Sequence, residues 1–154
     1  MGLVYKIATI EDLDMLVKTR IEVLRAANRL GESVDMTVVE RESRVYYEKA
    51  LEDDSHVAVL VYDCDQFVGA GGVSFYTVMP TYHNPSGRKA YIMNMYTKPE
   101  YRRKGIAYKT LDMLIAAAKE KGINHITLEA TDMGGPLYEK YGFIKMDDEM
   151  QLPE

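Results

Sequence analysis

The chain has 154 residues, of which 47% are hydrophobic and 28% are charged, and its formal net charge is -5 at pH 7. This length suits one domain with one core, and the acidic balance argues against a surface devoted to nucleic acid, which requires widespread phosphate neutralisation. A single cysteine excludes an internal disulfide, and no segment approaches the ~18 uninterrupted apolar residues of a membrane span. We therefore predict one cytoplasmic domain over residues 1–154, without a nucleic-acid or membrane partner.

The first elements are predicted to be a short strand and two helices. Residues 3–7 have strand character, and Thr9 with Asp12 three positions later is the pattern of a capped helix start. Apolar residues then recur at helical spacing until Gly31, and Asp35 is placed to cap a second helix.

A hairpin is predicted next, with one arm at 57–62 and the other at 66–76. The second arm contains three glycines that precede more strand and not a helix, so they do not form a dinucleotide fingerprint. We predict a bulge or close backbone packing at these positions, which are Gly69, Gly71 and Gly72.

The second half of the chain alternates strands with helices. Residues 79–89 form a long loop, and such loops in compact domains are often functional, so this one is a candidate substrate lid. A strand at 90–97, a helix ending at Gly122 and a strand at 125–130 follow with short connections, which predicts a parallel strand pair with a right-handed crossover. A short helix and a strand-like tail at 143–152 complete the predicted elements.

Three adjacent cations, Arg102, Arg103 and Lys104, lie between the strand and the amphipathic helix, directly before Gly105. The first N–H groups of a helix have no partner within it and the helix dipole is positive there, so an anion is favoured. The small Ala107 and Gly105 allow a phosphate to approach the backbone. The spacing of a P-loop is missing. By itself the cluster is equally consistent with a solvated charge run, but its place between strand and helix favours a pyrophosphate site.

The segment 102–107 resembles the acyl-CoA motif of the GCN5-related N-acetyltransferase (GNAT) family, Gln/Arg-x-x-Gly-x-Gly/Ala. Residues 92–101 resemble the fourth strand of that family with its turn, and 136–143 is similar to its Leu-Tyr-Glu-Lys-x-Gly-Phe helix. The resemblance implies an α/β fold of GNAT type, with a mixed, mainly antiparallel sheet, a central splayed parallel strand pair and helices on both faces. It is strong over 90–143, and the order of elements fits nearly the whole chain.

The resemblance also implies an acetyl-CoA site. Backbone N–H groups would hold the pyrophosphate, assisted by the charge of Arg102, and they would come from Arg103, Lys104, Gly105, Ile106 and Ala107. The backbone of Met95, Tyr96 and Thr97 would pair with the pantetheine arm as an added strand, with an N–H of Met95 or Tyr96 near the thioester carbonyl. Many members of the family have Asn at the position of Thr131, whose hydroxyl would supply part of that contact.

Tyr138 matches the family tyrosine that gives a proton to the departing thiolate, and a phenol with a pKa of about 10 keeps its proton at neutral pH. The alternative is a core tyrosine with a satisfied hydroxyl. Glu129 is the first candidate for the base, His83 is the second, and water can relay the proton instead. His56 and His125 have no partner in the sequence that suggests a metal or nucleophilic site, and no metal is predicted.

The expected function is acetyl-CoA-dependent transfer of an acetyl group to a primary amine of a small molecule or peptide. The alternative is a non-catalytic acyl-CoA-binding or sensing domain. The first two helices carry both signs of charge, including Arg20, Arg25 and Glu22, so they do not select an acceptor. Only about ten residues follow Phe143, so a second subunit could complete the substrate wall, and a homodimer is a hypothesis.

Overall fold

The computed structural model describes residues 2–154 as a five-stranded sheet covered by helices on both faces. The strands are β1 (Leu3–Ile7), β2 (His56–Asp63), β3 (Gln66–Thr77), β4 (Arg88–Thr97) and β5 (Ile126–Leu128). The helices are α1 (Leu13–Asn28), α2 (Thr37–Glu52), α3 (Ile106–Glu120) and α4 (Gly135–Tyr141), and short 3₁₀ turns occupy Ile10–Asp12 and Pro99–Tyr101.

The strand order in the sheet is the same as the order in the chain. Strands β1 to β4 pair antiparallel, and β5 pairs parallel to β4 after the crossover through α3. The predicted fold class is therefore confirmed, including the hairpin and the parallel pair. This pair is short, because only Ala90 to Ile92 of β4 are in register with Ile126 to Leu128 of β5.

Alternate residues of β2 build two separate cores. Val59 and Val61 face α3 and pack with Leu111 and Leu114, which are fully buried. Their neighbour Leu60 faces the other side of the sheet, where it joins the core formed with α1 and α2. Successive side chains of a strand point to opposite faces, so one valine-rich strand supports both helix layers, and each buried Val or Leu contributes about 1.5–3 kcal/mol.

The first predicted helix start is confirmed, and the second is displaced by one residue, because Met36 and not Asp35 is the N-cap of α2. The Thr9 hydroxyl accepts a hydrogen bond from the first turn while the Asp12 carboxylate accepts the Thr9 N–H at 2.8 Å, and this reciprocal pair leads into α1. Asp35 accepts the N–H of Thr37, the first residue of α2, at 2.9 Å. Within residues 2–154, no helix has the length and apolar character that crossing a membrane requires.

The strand predicted at 143–152 is wrong. This tail has no regular secondary structure, and its apolar side chains Ile144, Met150 and Leu152 are almost fully exposed. Three consecutive acids at 147–149 interrupt the apolar alternation, so a strand here would have no continuous face to bury. Strand β5 is therefore the last strand of the sheet, and nothing in the described chain pairs with its outer edge.

Candidate active site

A bulge in β4 opens the sheet on the side of β5. Ala70 pairs with Tyr96 and Gly72 pairs with Met93, so Gly71 alone lies opposite two residues of β4. One of the two, Asn94, adopts a left-handed backbone with φ 59°. An extra residue of this kind bends the strand, and β4 loses contact with β5 after Ile92. The edge of β4 from 93 to 97 is consequently unpaired on that side.

Gly71 allows helix α3 to lie directly on the bulge. A Cβ atom at this position would be 2.7 Å from Cγ2 of Thr110 in α3 and 2.8 Å from Sδ of Met95. At Gly72 an added Cβ would be 2.8 Å from Nε2 of His56, on the opposite face. The predicted bulge and close packing of the glycine-rich arm are both confirmed, since no larger residue fits without moving a helix or a ring.

The cation cluster leads into a helix start that no side chain caps. Helix α3 begins at Ile106, which is buried, while residues 102–105 are exposed. Gly105 has φ 81°, and an added Cβ there would meet no atom within 4 Å. The first N–H groups of α3 are thus left to solvent or to a ligand, in front of open space. Arg103 also adopts a left-handed backbone, with φ 62°, a conformation that glycine adopts without strain.

Two of the cations are held against the protein near the end of β4. The Nε of Arg102 donates to the carbonyl of Thr97 at 3.2 Å, which ties the cluster to the unpaired strand edge. The ammonium of Lys104 lies 5.6 Å from the centroid of the Tyr101 ring, whose hydroxyl donates to Asp63 at 2.6 Å. The positive charge is therefore placed at the junction of the open edge and the uncapped helix.

Tyr138 lies in α4 with only 8% of its surface exposed, in the same core cluster as Ile106. Its ring packs edge-on against Phe143, and Gly134 lies so close that an added Cβ would be 3.0 Å from the ring. Burial raises the pKa of this phenol, so Tyr138 is protonated at neutral pH. Among residues 2–154 its hydroxyl has no hydrogen-bond partner, which differs from a core tyrosine with a satisfied hydroxyl.

Helix α4 is fixed to α3 by tyrosines. The hydroxyl of Tyr141 donates to Asp112 of α3 at 2.6 Å, and its ring lies 5.2 Å from that of Tyr108. The turn before α4 is closed by Thr131, whose hydroxyl accepts the Gly134 N–H at 3.2 Å. The helix that carries Tyr138 is thereby tied to the helix that begins at the cation cluster. Within residues 2–154 the O–H of Thr131 has no acceptor, so it can donate to a ligand.

The two predicted bases lie in different places. Glu129 is exposed and follows β5 directly, on the far side of the opening from β4. It faces the hydroxyl of Tyr91, whose pKa is raised by burial and then by this carboxylate. His83 lies on the exposed connection between β3 and β4, at the amino end of β4, whereas the cations follow its carboxyl end. The parallel pairing of β5 with β4 keeps Glu129 beside Tyr91, and the fold keeps His83 apart from the cations.

The candidate lid is shorter than predicted, because Arg88 and Lys89 belong to β4. The remaining loop closes on itself, with the Thr81 and Asn84 backbones bonded to each other and the Asn84 amide donating to the carbonyl of Arg88. Its action as a lid stays a prediction.

A polar cluster that the sequence did not reveal lies between the sheet and α2. His56, with 5% exposure, has its Nδ1 2.9 Å from the Tyr46 hydroxyl and 3.1 Å from Oγ of Ser74. We call these three residues the His56 cluster. Desolvation and then the charge of Arg20 lower the pKa of His56 to about 4, so the imidazole is neutral at pH 7. The buried Nε2 has no partner within residues 2–154.

Acidification is expected to destabilise the fold through His56. His56 has its ordinary pKa of 6.5 in the unfolded chain and a pKa of about 4 in the folded one. Between these two values the imidazole is protonated in the unfolded state and neutral in the folded state. Stability from this group is complete above pH 6.5 and falls by about 2 kcal/mol at pH 5. Urea unfolding of wild type and His56→Gln at pH 7 and pH 5 measures this loss, which the variant should largely lack.

The matched control is His83→Gln, which removes an exposed histidine from a loop. It should lose the same free energy of unfolding as wild type between pH 7 and pH 5. An equal loss in His56→Gln would contradict a neutral buried His56.

The contact of Arg20 with the bulge was also not predicted from the sequence. Arg20 lies on the sheet-facing side of α1, one turn after the buried Leu16, and its Nη1 donates to Oδ1 of Asn94 at 3.0 Å. This contact joins α1 to the left-handed residue of the bulge. An Asn inside a strand pattern was an available signal, because Asn tolerates the left-handed region that such bulges use.

Comparison with known proteins agrees with this geometry. The model of the family described as the acetyltransferase (GNAT) family matches residues 22–143. A predicted acetyltransferase from Clostridium acetobutylicum, crystallised with acetyl-CoA, is 34% identical over 98% of this chain and 96% of that one, with a TM-score of 0.88. A search of curated proteins found no match.

Two further solved structures share the architecture. A GCN5-related N-acetyltransferase from Ralstonia eutropha JMP134 is 25% identical, with a TM-score of 0.83 over 99% of each chain. The glucosamine-6-phosphate N-acetyltransferase from Arabidopsis thaliana is 16% identical, with a TM-score of 0.69 over 97% of this chain and 98% of that one, which is a likeness in fold alone.

Proposed function

The chain belongs to the acetyltransferase (GNAT) family, and from this premise we propose that it transfers an acetyl group from acetyl-CoA directly to a primary amine of a small molecule or peptide. One observation carries the proposal: an unpaired strand edge at 93–97 ends beside an uncapped helix start that faces open space. An extended, amide-containing arm with a pyrophosphate at one end fits both features.

The residues present fit acetyl-CoA. Backbone N–H groups of 103–107 bind the pyrophosphate, because Gly105 leaves room in front of them, and Arg102 assists by charge. The free edge formed by Met95, Tyr96 and Thr97 bonds to the pantetheine amides as a neighbouring strand would. The Thr131 hydroxyl, which accepts from Gly134, donates to the same arm.

The chemistry needs a polarised carbonyl, a neutral amine and a proton for the leaving thiolate. An N–H of Met95 or Tyr96 binds the carbonyl oxygen and stabilises the negative charge that develops there. Glu129, directly or through water, takes a proton from the attacking amine. As the C–N bond forms and the C–S bond breaks, Tyr138 gives its proton to the sulfur. The buried phenol is protonated, and within residues 2–154 its hydroxyl has no other hydrogen-bond partner, as this role requires.

Calorimetry with acetyl-CoA, with ATP and a DNA duplex as controls, tests the binding half of the proposal. We expect acetyl-CoA to bind, and we expect no binding of ATP or of the DNA duplex. Release of free thiol from acetyl-CoA across amines, amino acids and peptides then tests transfer. Binding without release on any amine would favour the alternative of a non-catalytic acyl-CoA-binding or sensing domain, and absence of binding would refute both.

A further inference from the structure

Arg20 is a partly buried cation whose charge is not neutralised by the described chain. The ion pairs within residues 2–154 join Lys6 to Asp12 and Arg44 to Asp14, so Arg20 has no carboxylate within 4.0 Å. Its hydrogen-bond partner, the amide oxygen of Asn94, is neutral. A guanidinium withdrawn from water without an anion costs free energy, so its presence beside a bulge calls for a function.

The two titratable side chains on which the charge of Arg20 acts add no negative charge. These are two side chains of the same face, Tyr47 and His56. Burial raises the pKa of Tyr47 to about 12 and desolvation lowers that of His56 to about 4, so both are neutral at pH 7. Neither side chain therefore supplies an anion to Arg20.

Arg20 is also close to the place where transfer would occur. Asn94, to which it is bonded, directly precedes Met95 in the bulge, about 3.8 Å away between Cα atoms. One N–H of the guanidinium is used in this bond, which orients the planar group, and the structure describes no partner for the others among residues 2–154. Such a fork is suited to bidentate binding of a carboxylate or phosphate.

We propose that Arg20 binds an anionic group of the acceptor, so that the acceptor is a primary amine carrying a carboxylate or phosphate a few bonds from its nitrogen. The inference rests on the proposed function, because it places the amine at the β4 bulge. The charge of Arg20 draws in the anion, and the bond to Asn94 holds the guanidinium beside the reacting carbonyl. An amine that lacks the anion leaves Arg20 unpaired and binds more weakly.

Matched pairs of amines test this inference. Phenylalanine is compared with phenethylamine, and glucosamine 6-phosphate with glucosamine, since each pair differs in the anionic group. Binding is measured by calorimetry on the protein saturated with CoA, and thiol release from acetyl-CoA is measured in parallel. At least one anionic member should bind about 10- to 100-fold more tightly than its counterpart, and the preferred pair tells carboxylate from phosphate.

Arg20→Gln removes the charge and retains an amide that can donate to Asn94. We expect the preferred anionic amine to lose that 10- to 100-fold advantage through KM, with kcat nearly unchanged, while the affinity for acetyl-CoA is retained as proof of folding. Arg20→Lys should restore part of the preference. Lys18→Gln removes the same charge from the exposed side of α1 and should behave as wild type.

Equal binding of both members of each pair, or an Arg20→Gln variant that keeps the preference, would overturn the inference. If Arg20 only held the bulge in place, Arg20→Gln would weaken the binding of anionic and neutral amines alike. Preferential binding of an anionic amine without thiol release would refute the transfer reaction and leave the assignment of Arg20 intact, so the two failures are distinguishable.

Discussion

Tyr138→Phe is expected to lower kcat by about 10²- to 10⁴-fold while leaving the affinity for acetyl-CoA nearly unchanged. The substitution removes one hydroxyl and keeps the ring, which packs against Phe143 and Gly134. Without the phenolic proton the thiolate must leave unprotonated or take a proton from water. Steady-state thiol release and calorimetry with acetyl-CoA, on the same preparation, measure the two quantities.

The control is Tyr141→Phe in the same helix. This hydroxyl donates to Asp112, so its removal should lower the free energy of unfolding by about 1.5–3 kcal/mol and leave most of kcat. Tyr138→Phe should show the opposite pattern, because its hydroxyl has no partner to lose within residues 2–154. Unchanged turnover in Tyr138→Phe would remove this residue from the role of acid.

Gly105→Val is expected to weaken binding of acetyl-CoA by about 100-fold. Its φ of 81° is strained for any residue with a Cβ and most of all for a β-branched one. The open space in front of the glycine, where no atom lies within 4 Å of an added Cβ, is the space that the pyrophosphate needs. Gly105→Val therefore has two effects at once: it reorients the N–H donors, and its side chain occupies the space of the pyrophosphate. Calorimetry gives the affinity, and thermal unfolding gives the cost of the strain.

Gly122→Val separates the two effects. Gly122 ends the same helix with φ 75° and, like Gly105, has no atom within 4 Å of an added Cβ. This variant should have a similar loss of stability and an unchanged affinity for acetyl-CoA. If both valine variants bound acetyl-CoA as wild type does, the pyrophosphate would not be held at the start of α3.

Local patterns predicted most of the fold. The capping pair at Thr9 and Asp12, the hairpin, and the strand–helix–strand crossover all depend on neighbours in sequence, and the structure confirms each of them. The family resemblance rested on the same kind of signal, because the segment 102–107 begins a helix and carries its own glycine. The roles of individual site residues, the homodimer and the compartment stay predictions.

The sequence by itself determined the order of elements from β1 to α4 and the position of the cation cluster at a helix start, because hydrophobic period, caps and turn residues act over a few positions. The GNAT fold was implied by the family resemblance. Only the tertiary structure decided the pairings between distant segments. A regular hairpin closed at Asp63 and Gln66 would place His56 opposite Val73, and an irregularity at Val61 and Tyr62 moves it opposite Ser74. A bulge likewise brings Asn94 within hydrogen-bond distance of Arg20, which is 74 positions away in the chain. One residue of register changes which side chains meet, and no local pattern encodes it.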